Sequence, residues 1–203
     1  MREAVTIAIL AGGKSRRYGG VDKQEIDFKG ESLGRRAARN ALAAGCSVLI
    51  VGTNRRPYEG LPVRFTRDAF TGRGPLSGLH AALGASTTPW VCLTACDMPF
   101  FSQAWLDELL ARAEQGGALA VAARRGGFIE PFQALYAREL EERVFSMLKD
   151  HRDAPRKLSL ARLIAEIPCH EVPESVAAAY SPDGRIFRSA NSPEELNYLQ
   201  ALE

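Results

Sequence analysis

Short apolar runs alternate with longer segments of helical period through the first two-thirds of this chain. That alternation restricts it to βαβ units on a largely parallel sheet, because each strand must return to the same edge through a covering helix. Residues 5–10, Val-Thr-Ile-Ala-Ile-Leu, form the first expected strand. A helix is expected over 33–44, closed by Gly45 as a left-handed cap. Strands over 48–51 and 63–66 follow, then a helix over 76–83 between Pro75 and Gly84. The next strand, 90–94, runs into Ala95-Cys96-Asp97, and a helix over 105–113 leads through Gly116-Gly117 to a strand over 119–123.

The last third is less regular. A strand is expected over 132–136 and helices over 138–148 and 158–165. Ser192-Pro193-Glu194-Glu195 announces a final helix, with a serine N-cap, proline at the first helical position and Glu195 completing a capping box. Neither a repeat nor a linker rich in Pro, Gly or Ser divides the chain, so one domain over residues 1–203 is expected.

Charge is nearly balanced, 26 Lys and Arg against 24 Asp and Glu, which argues against a general nucleic-acid or membrane-surface binder. No apolar stretch approaches the length of a membrane span. Cys46, Cys92, Cys96 and Cys169 form no C-x-x-C pair, and the three histidines have no metal-site spacing around them. Cys92 and Cys96, read on one strand, would stand about 13 Å apart, too far for a disulfide. Reduced, buried thiols in a cytoplasmic protein are expected.

The densest chemistry follows the first strand. Gly12, Gly13, Gly19 and Gly20 let the backbone approach a ligand closely and leave amides free to cradle phosphate oxygens. Ser15 adds a hydroxyl donor, and Arg17 and Lys23 add charge. A solvated basic turn is the plain alternative. Two known phosphate loops are excluded: Ala8 stands where a P-loop needs glycine, and the glycine spacing is wrong for a dinucleotide fingerprint.

Asp97 ends an apolar strand, at the edge where open α/β sheets bind ligands. A lone carboxylate there suits Mg²⁺, which binds through one or two carboxylates plus substrate phosphates. The competing use, an N-cap for the next helix, falls more naturally to Ser102. Gly72-Arg73-Gly74-Pro75-Leu76-Ser77-Gly78 is a loop entering a helix, whose glycines leave backbone groups open.

Leu10-Ala11-Gly12-Gly13-Lys14-Ser15-Arg16-Arg17-Tyr18-Gly19 with Asp22-Lys23 resembles L-A-G-G-x-S-x-R-M-G…D-K, the signature of nucleotidyltransferases that couple NTPs to phosphorylated small molecules; Tyr18 replaces the usual methionine. Cys96-Asp97-Met98-Pro99-Phe100 is similar to C-D-x-P-[FY], and Gly74–Gly78 to the G-P-L-[AS]-G of the molybdenum-cofactor guanylyltransferases. Glu130-Pro131-Phe132-Gln133-Ala134-Leu135 resembles their [HE]-P-x-x-A-L. Asn191-Ser192-Pro193-Glu194-Glu195-Leu196 resembles their N-x-N-[TS]-P-E-[ED]-L, with Ser189 in place of the first asparagine.

The resemblance implies a three-layer α/β/α, Rossmann-like domain. It implies GMP transfer from GTP to molybdopterin-type cofactor with Mg²⁺. Lys23, Arg17 and Asp97 are then catalytic, Asp97 being the metal ligand. Leu10, Ala11, Gly12, Gly13, Ser15, Lys23, Asp68, Pro75, Gly78 and Asp97 bind the nucleotide, and Asn191 touches the acceptor. Molybdenum-cofactor biosynthesis and acceptor proteins are the implied partners. A relative using another base or acceptor, or a non-catalytic GTP-binding subunit, are the alternatives.

Overall fold

The computed structural model describes residues 2–12, 18–70, 72–150 and 158–202. Gly13, Ser15 and Arg17, among the expected site residues, lie outside them.

The strands are β1 (Val5–Leu10), β2 (Asp27–Phe28), β3 (Glu31–Ser32), β4 (Ser47–Val51), β5 (Arg64–Thr66), β6 (Trp90–Ala95), β7 (Ala120–Arg125), β8 (Phe128–Ile129), β9 (Ala134–Ala137) and β10 (Cys169–Val172). The helices are α1 (Leu33–Ala43), α2 (Pro75–Ala85), α3 (Gln103–Ala113), α4 (Glu141–Asp150), α5 (Leu160–Ala165), α6 (Glu174–Tyr180) and α7 (Pro193–Ala201). The main sheet runs β10-β7-β9-β6-β1-β4-β5, with β8 paired to β7, while β2 and β3 make a separate hairpin. β1 pairs in parallel with β4 and β6, and β9 is antiparallel to both its neighbours. The mostly parallel expectation therefore holds, with one reversed strand in the main order.

Successive side chains of a strand face opposite sides of a sheet. Ile7 and Ile9 accordingly pack into one core with Ala37, Ala41, Trp105, Leu109 and Leu199, from α1, α3 and α7. Ala8 faces the other core, with Leu76, Leu79, Leu83, Val144 and Leu163 from α2, α4 and α5. Helix layers on both faces thus give the three-layer architecture. Thr6, the polar break in the first run, is fully buried, its Oγ1 2.8 Å from Thr88 Oγ1 and 3.2 Å from Ser86 Oγ. Both polar partners are local to this side of the sheet, so the break costs little.

Several expectations need adjustment. Gly84 does not stop its helix; α2 continues to Ala85, and a Cβ on Gly84 would come within 2.9 Å of Glu141 Oε1. The helix expected from 138 opens as a tight turn over Arg138–Leu140 before α4. The helix expected from 158 begins at Leu160, capped by Ser159. β6 ends at Ala95, so Cys96 stands just past the strand; it is buried, as are Cys46 and Cys92, but Cys169 is only half-buried, and all four are free. Among the described residues no helix is long and apolar enough to cross a membrane.

Candidate active site

The carboxyl ends of β1, β4, β5 and β6 lie on one edge of the sheet, and the ladder continues beyond them. Ala11 N–H donates to Val51 C=O, Gly52 N–H to Thr66 C=O and Cys96 N–H to Leu10 C=O, each at 3.0 Å. Gly52 is needed for this approach: a Cβ there would stand 3.0 Å from Ala11 O and 3.2 Å from Ala11 Cβ. Gly12, by contrast, is exposed with open space where a side chain would go, so packing does not explain its glycine. Gly19 and Gly20 have φ of 65° and 86°, the left-handed region glycine adopts without steric cost.

The turn after these glycines is fastened to β1. Asp22 Oδ1 accepts Gln24 N–H at 3.3 Å, while its Oδ2 accepts Gln24 Nε2 at 2.8 Å and Asn54 Nδ2 at 3.1 Å. Gln24, buried, also donates Nε2 to Ala11 C=O at 3.2 Å. Asp22 and Gln24 thereby fix the backbone from which Lys23 projects. Lys23 Nζ donates to Asp97 Oδ2 at 2.6 Å and to Asn191 Oδ1 at 2.8 Å. Three of the expected site residues, far apart in sequence, therefore meet at one ammonium group.

Asp97 is 7% exposed, and its turn is held from several directions. Its carbonyl accepts Ala190 N–H at 2.8 Å, and Pro99 C=O accepts Arg36 Nε at 3.3 Å and Asn40 Nδ2 at 3.0 Å. Gln133 Nε2 donates to Thr94 Oγ1 and to Phe100 C=O, both at 3.2 Å, and so joins the residue three before Asp97 to the residue three after it. Gln133 is 1% exposed with φ 53°; its own carbonyl accepts Trp105 Nε1 at 2.8 Å. A non-glycine residue held at positive φ needs such over-determination. Ser102 caps α3 through Trp105 N–H at 3.2 Å, leaving Asp97 free of that duty, as expected.

Asn191 precedes α7. Ser192 Oγ accepts Glu195 N–H at 3.3 Å, but the reciprocal bond differs from a standard capping box: Glu195 Oε2 accepts the N–H of Asn191, one residue earlier, at 2.8 Å. Tyr18 Oη donates to Ser192 C=O at 2.6 Å. Burial, with Glu195, Asp97 and Glu194 nearby, pushes the Tyr18 phenol above its ordinary range, so it remains a donor.

The remaining residues lie on the loop after β5, two strands along from β1, and at the start of α2. Asp68 Oδ1 accepts Phe70 N–H at 2.7 Å and also the Ser77 hydroxyl, which ties the β5 loop to the first turn of α2. Gly74, at φ 69°, precedes Pro75 at the helix start. Gly78 is buried, and a Cβ on it would meet Leu10 Cδ2 at 2.7 Å; its evident role is close packing of α2 on β1, not an open backbone.

A single carboxylate, nearly buried and already holding a cation, fits Mg²⁺ brought with phosphates, an ion that keeps few protein ligands. It does not amount to a self-sufficient cage: among the described residues no group of three His, Cys, Asp or Glu side chains could hold a metal.

Sequence reasoning missed Gln133, the anchoring use of Asp22 and Gln24, and the bonds from Tyr18 and Glu195 to the Asn191 segment. A glutamine inside the apolar run Phe132–Tyr136 was the available signal for the first. The others depend on contacts between segments distant in sequence.

The model of the MobA-like NTP transferase domain matches residues 7–167. The chain belongs to that family. As a member of the MobA-like NTP transferases it is a nucleotidyltransferase. It is 33% identical to the molybdenum cofactor guanylyltransferase of Syntrophotalea carbinolica, over 92% of this chain and 86% of that protein. It is likewise 33% identical to one from Pseudomonas putida, over 94% and 95% of the two chains. The crystal structure of molybdopterin-guanine dinucleotide biosynthesis protein A from Archaeoglobus fulgidus superposes with a TM-score of 0.80 over 97% of each chain at 22% identity, which shows a shared fold.

Proposed function

We propose that this chain transfers GMP from GTP to the phosphate of the molybdopterin form of the molybdenum cofactor, releasing pyrophosphate and leaving the guanine dinucleotide form. The observation that carries this reading is the convergence of Lys23, Asp97 and Asn191 at the sheet edge beside the Gly-rich loop. An oxygen of the acceptor phosphate attacks the α-phosphorus of GTP in line. The bond from that phosphorus to the bridging oxygen breaks, and the electron pair leaves with pyrophosphate. Such a transfer needs position and charge stabilisation but no protein nucleophile.

Each residue then has a task. The amides of Gly12 and Gly13, with the Ser15 hydroxyl, donate to phosphate oxygens, while Leu10 and Ala11, the latter's N–H already held by Val51 C=O, carry the chain to the nucleotide. Lys23 leaves its partners for the triphosphate and, with Arg17, carries the charge that grows on pyrophosphate. Asp97 holds Mg²⁺, which when bound neutralises charge across the phosphates. The start of α2 at Pro75 frames the guanine, with Gly78 seating that helix closely on β1, and Asp68, its Oδ1 already engaged, accepts from the base or a ribose hydroxyl through Oδ2. Asn191 contacts the acceptor phosphate. The four free cysteines support a cytoplasmic setting, where thiols stay reduced.

The test follows the label. With GTP labelled at the α-phosphorus and molybdopterin cofactor present, the label should move into the cofactor; with the γ-phosphorus labelled, it should appear in pyrophosphate. Label transfer from CTP as fast as from GTP would overturn the base assignment. Absence of any transfer to the cofactor would overturn the reaction.

A further inference from the structure

Asn191 reaches Lys23 from a short segment between residue 187 and α7, and three hydrogen bonds decide where that segment lies. Ala190 N–H is held by Asp97 C=O at 2.8 Å, and Asn191 N–H by Glu195 Oε2 at 2.8 Å. The third is the Tyr18 hydroxyl, 2.6 Å from Ser192 C=O and 3.4 Å from Ala190 C=O, so that it brackets Asn191 from both sides. Of the three, this bond alone is made by the Gly-rich loop. It also depends on the residue at which this chain departs from L-A-G-G-x-S-x-R-M-G, since a methionine has no hydroxyl to give. The Tyr18 ring packs, partly buried, against the same core that α7 joins through Leu199.

We propose that Tyr18 is a positioning residue: its hydroxyl holds the 190–192 segment so that the Asn191 amide oxygen stays on Lys23 Nζ, coupling the nucleotide loop to the segment that carries Asn191. The Lys23 ammonium is thereby kept in one place between Asp97 and Asn191, with a side-chain exposure of 23%. Any consequence for turnover rests on the transfer reaction proposed above; the contact itself does not. Two other bonds still hold the segment, so losing the hydroxyl loosens the arrangement without abolishing it.

The test reads Lys23 directly. The rate of acylation of Lys23 by an amine-directed reagent is measured by peptide mass spectrometry, with exposed Lys29 as the internal reference. Wild type is compared with Tyr18→Phe, Tyr18→Met, Asn191→Ala and the Tyr18→Phe/Asn191→Ala double variant, thermal melting serving as the folding control. Removal of one neutral hydrogen bond should raise the Lys23-to-Lys29 ratio at least about twofold in both Tyr18 variants, within the two- to tenfold range of such bonds. Asn191→Ala should raise it at least as far, and the double variant should match Asn191→Ala alone, because residues acting through one contact are non-additive. A smaller rise in the Tyr18 variants, or effects that multiply in the double variant, overturns the proposal. A wild-type protein that fails to transfer label defeats the reaction proposed above and leaves the labelling result to stand or fall by itself.

Discussion

At the residue scale, the proposed chemistry depends on an ammonium group that starts with the wrong partners for its task. Lys23 is paired with Asp97 at 2.6 Å and Asn191 at 2.8 Å before any nucleotide is bound. That arrangement keeps a nearly buried carboxylate compensated, which it requires, since an unpaired buried charge is strongly destabilising. In the proposed reaction it also stores the cation where phosphates are to arrive. Lys23→Ala should therefore lower kcat by about 10²–10³-fold, as loss of one preorganised donor does elsewhere, and weaken GTP binding far less. Steady-state kinetics with calorimetry of GTP binding separates the two effects. A kcat within about threefold of wild type would reduce the contact to an ion pair without catalytic use. Cys96, beside this cluster, has a buried thiol pushed far above its ordinary range, mainly by desolvation. Cys169, half-buried, is pushed up to about 11. Since the thiolate is the reactive form, none of the free thiols should alkylate quickly at neutral pH in the folded protein. Rapid labelling of Cys96 in native conditions, followed by mass spectrometry, would contradict the burial that fixes the Asp97 turn.

At the scale of elements, the strands that set the site are the ones the sequence declared best. β1 falls on the six residues expected, because a short apolar run broken only at Thr6 and followed closely by a glycine pair has few other uses. The cap at Ser102 and the start of α7 at Ser192-Pro193 were also plain, since caps are read from local chemistry. Missing were the β2–β3 hairpin, β8, β10 and α6. The hairpin and β8 are two-residue strands, and β10 is a partly exposed edge strand whose Cys-His-Glu-Val has no clear alternation. Lys23, Asp97 and Asn191 were legible because each sits in a motif. Gln133 was not, because its importance lies in the two loop ends it joins. Gln133→Leu would strand Thr94 Oγ1 and Phe100 C=O without that donor. A loss of about 1–3 kcal/mol in urea-denaturation stability is expected, the usual penalty for unpaired buried polar groups. An unchanged denaturation midpoint would mean that the Asp97 turn is held without it. The α2 entrance carries the base prediction. GTP should bind more tightly than CTP by calorimetry, since a site matched to guanine leaves polar groups unpaired against another base. Equal affinities would remove Asp68 and the α2 start at Pro75 from base selection.

At the scale of the whole molecule, topology explains why so few residues suffice. With β1 central and β4 and β6 parallel beside it, three strands end at the same edge, and loops from distant parts of the sequence are delivered together. The antiparallel β9 then returns alongside β6 and brings Gln133 under the Asp97 turn. The C-terminal segment closes the cluster through Ala190 and Asn191. Every one of these connections meets at or next to Asp97, so the carboxylate tests the account most directly. Asp97→Asn keeps the size of the side chain and removes its charge. Lys23 retains Asn191 as a partner, so the fold should survive, as circular dichroism would register. The measurement is acceptor-dependent pyrophosphate release from GTP across a Mg²⁺ titration. The account expects turnover to fall by at least about 10³-fold at ordinary Mg²⁺, because several kcal/mol of stabilisation depend on the ion and each 1.36 kcal/mol is a factor of ten. A folded Asp97→Asn protein with a near-normal rate and an unchanged Mg²⁺ dependence would place the transfer site elsewhere.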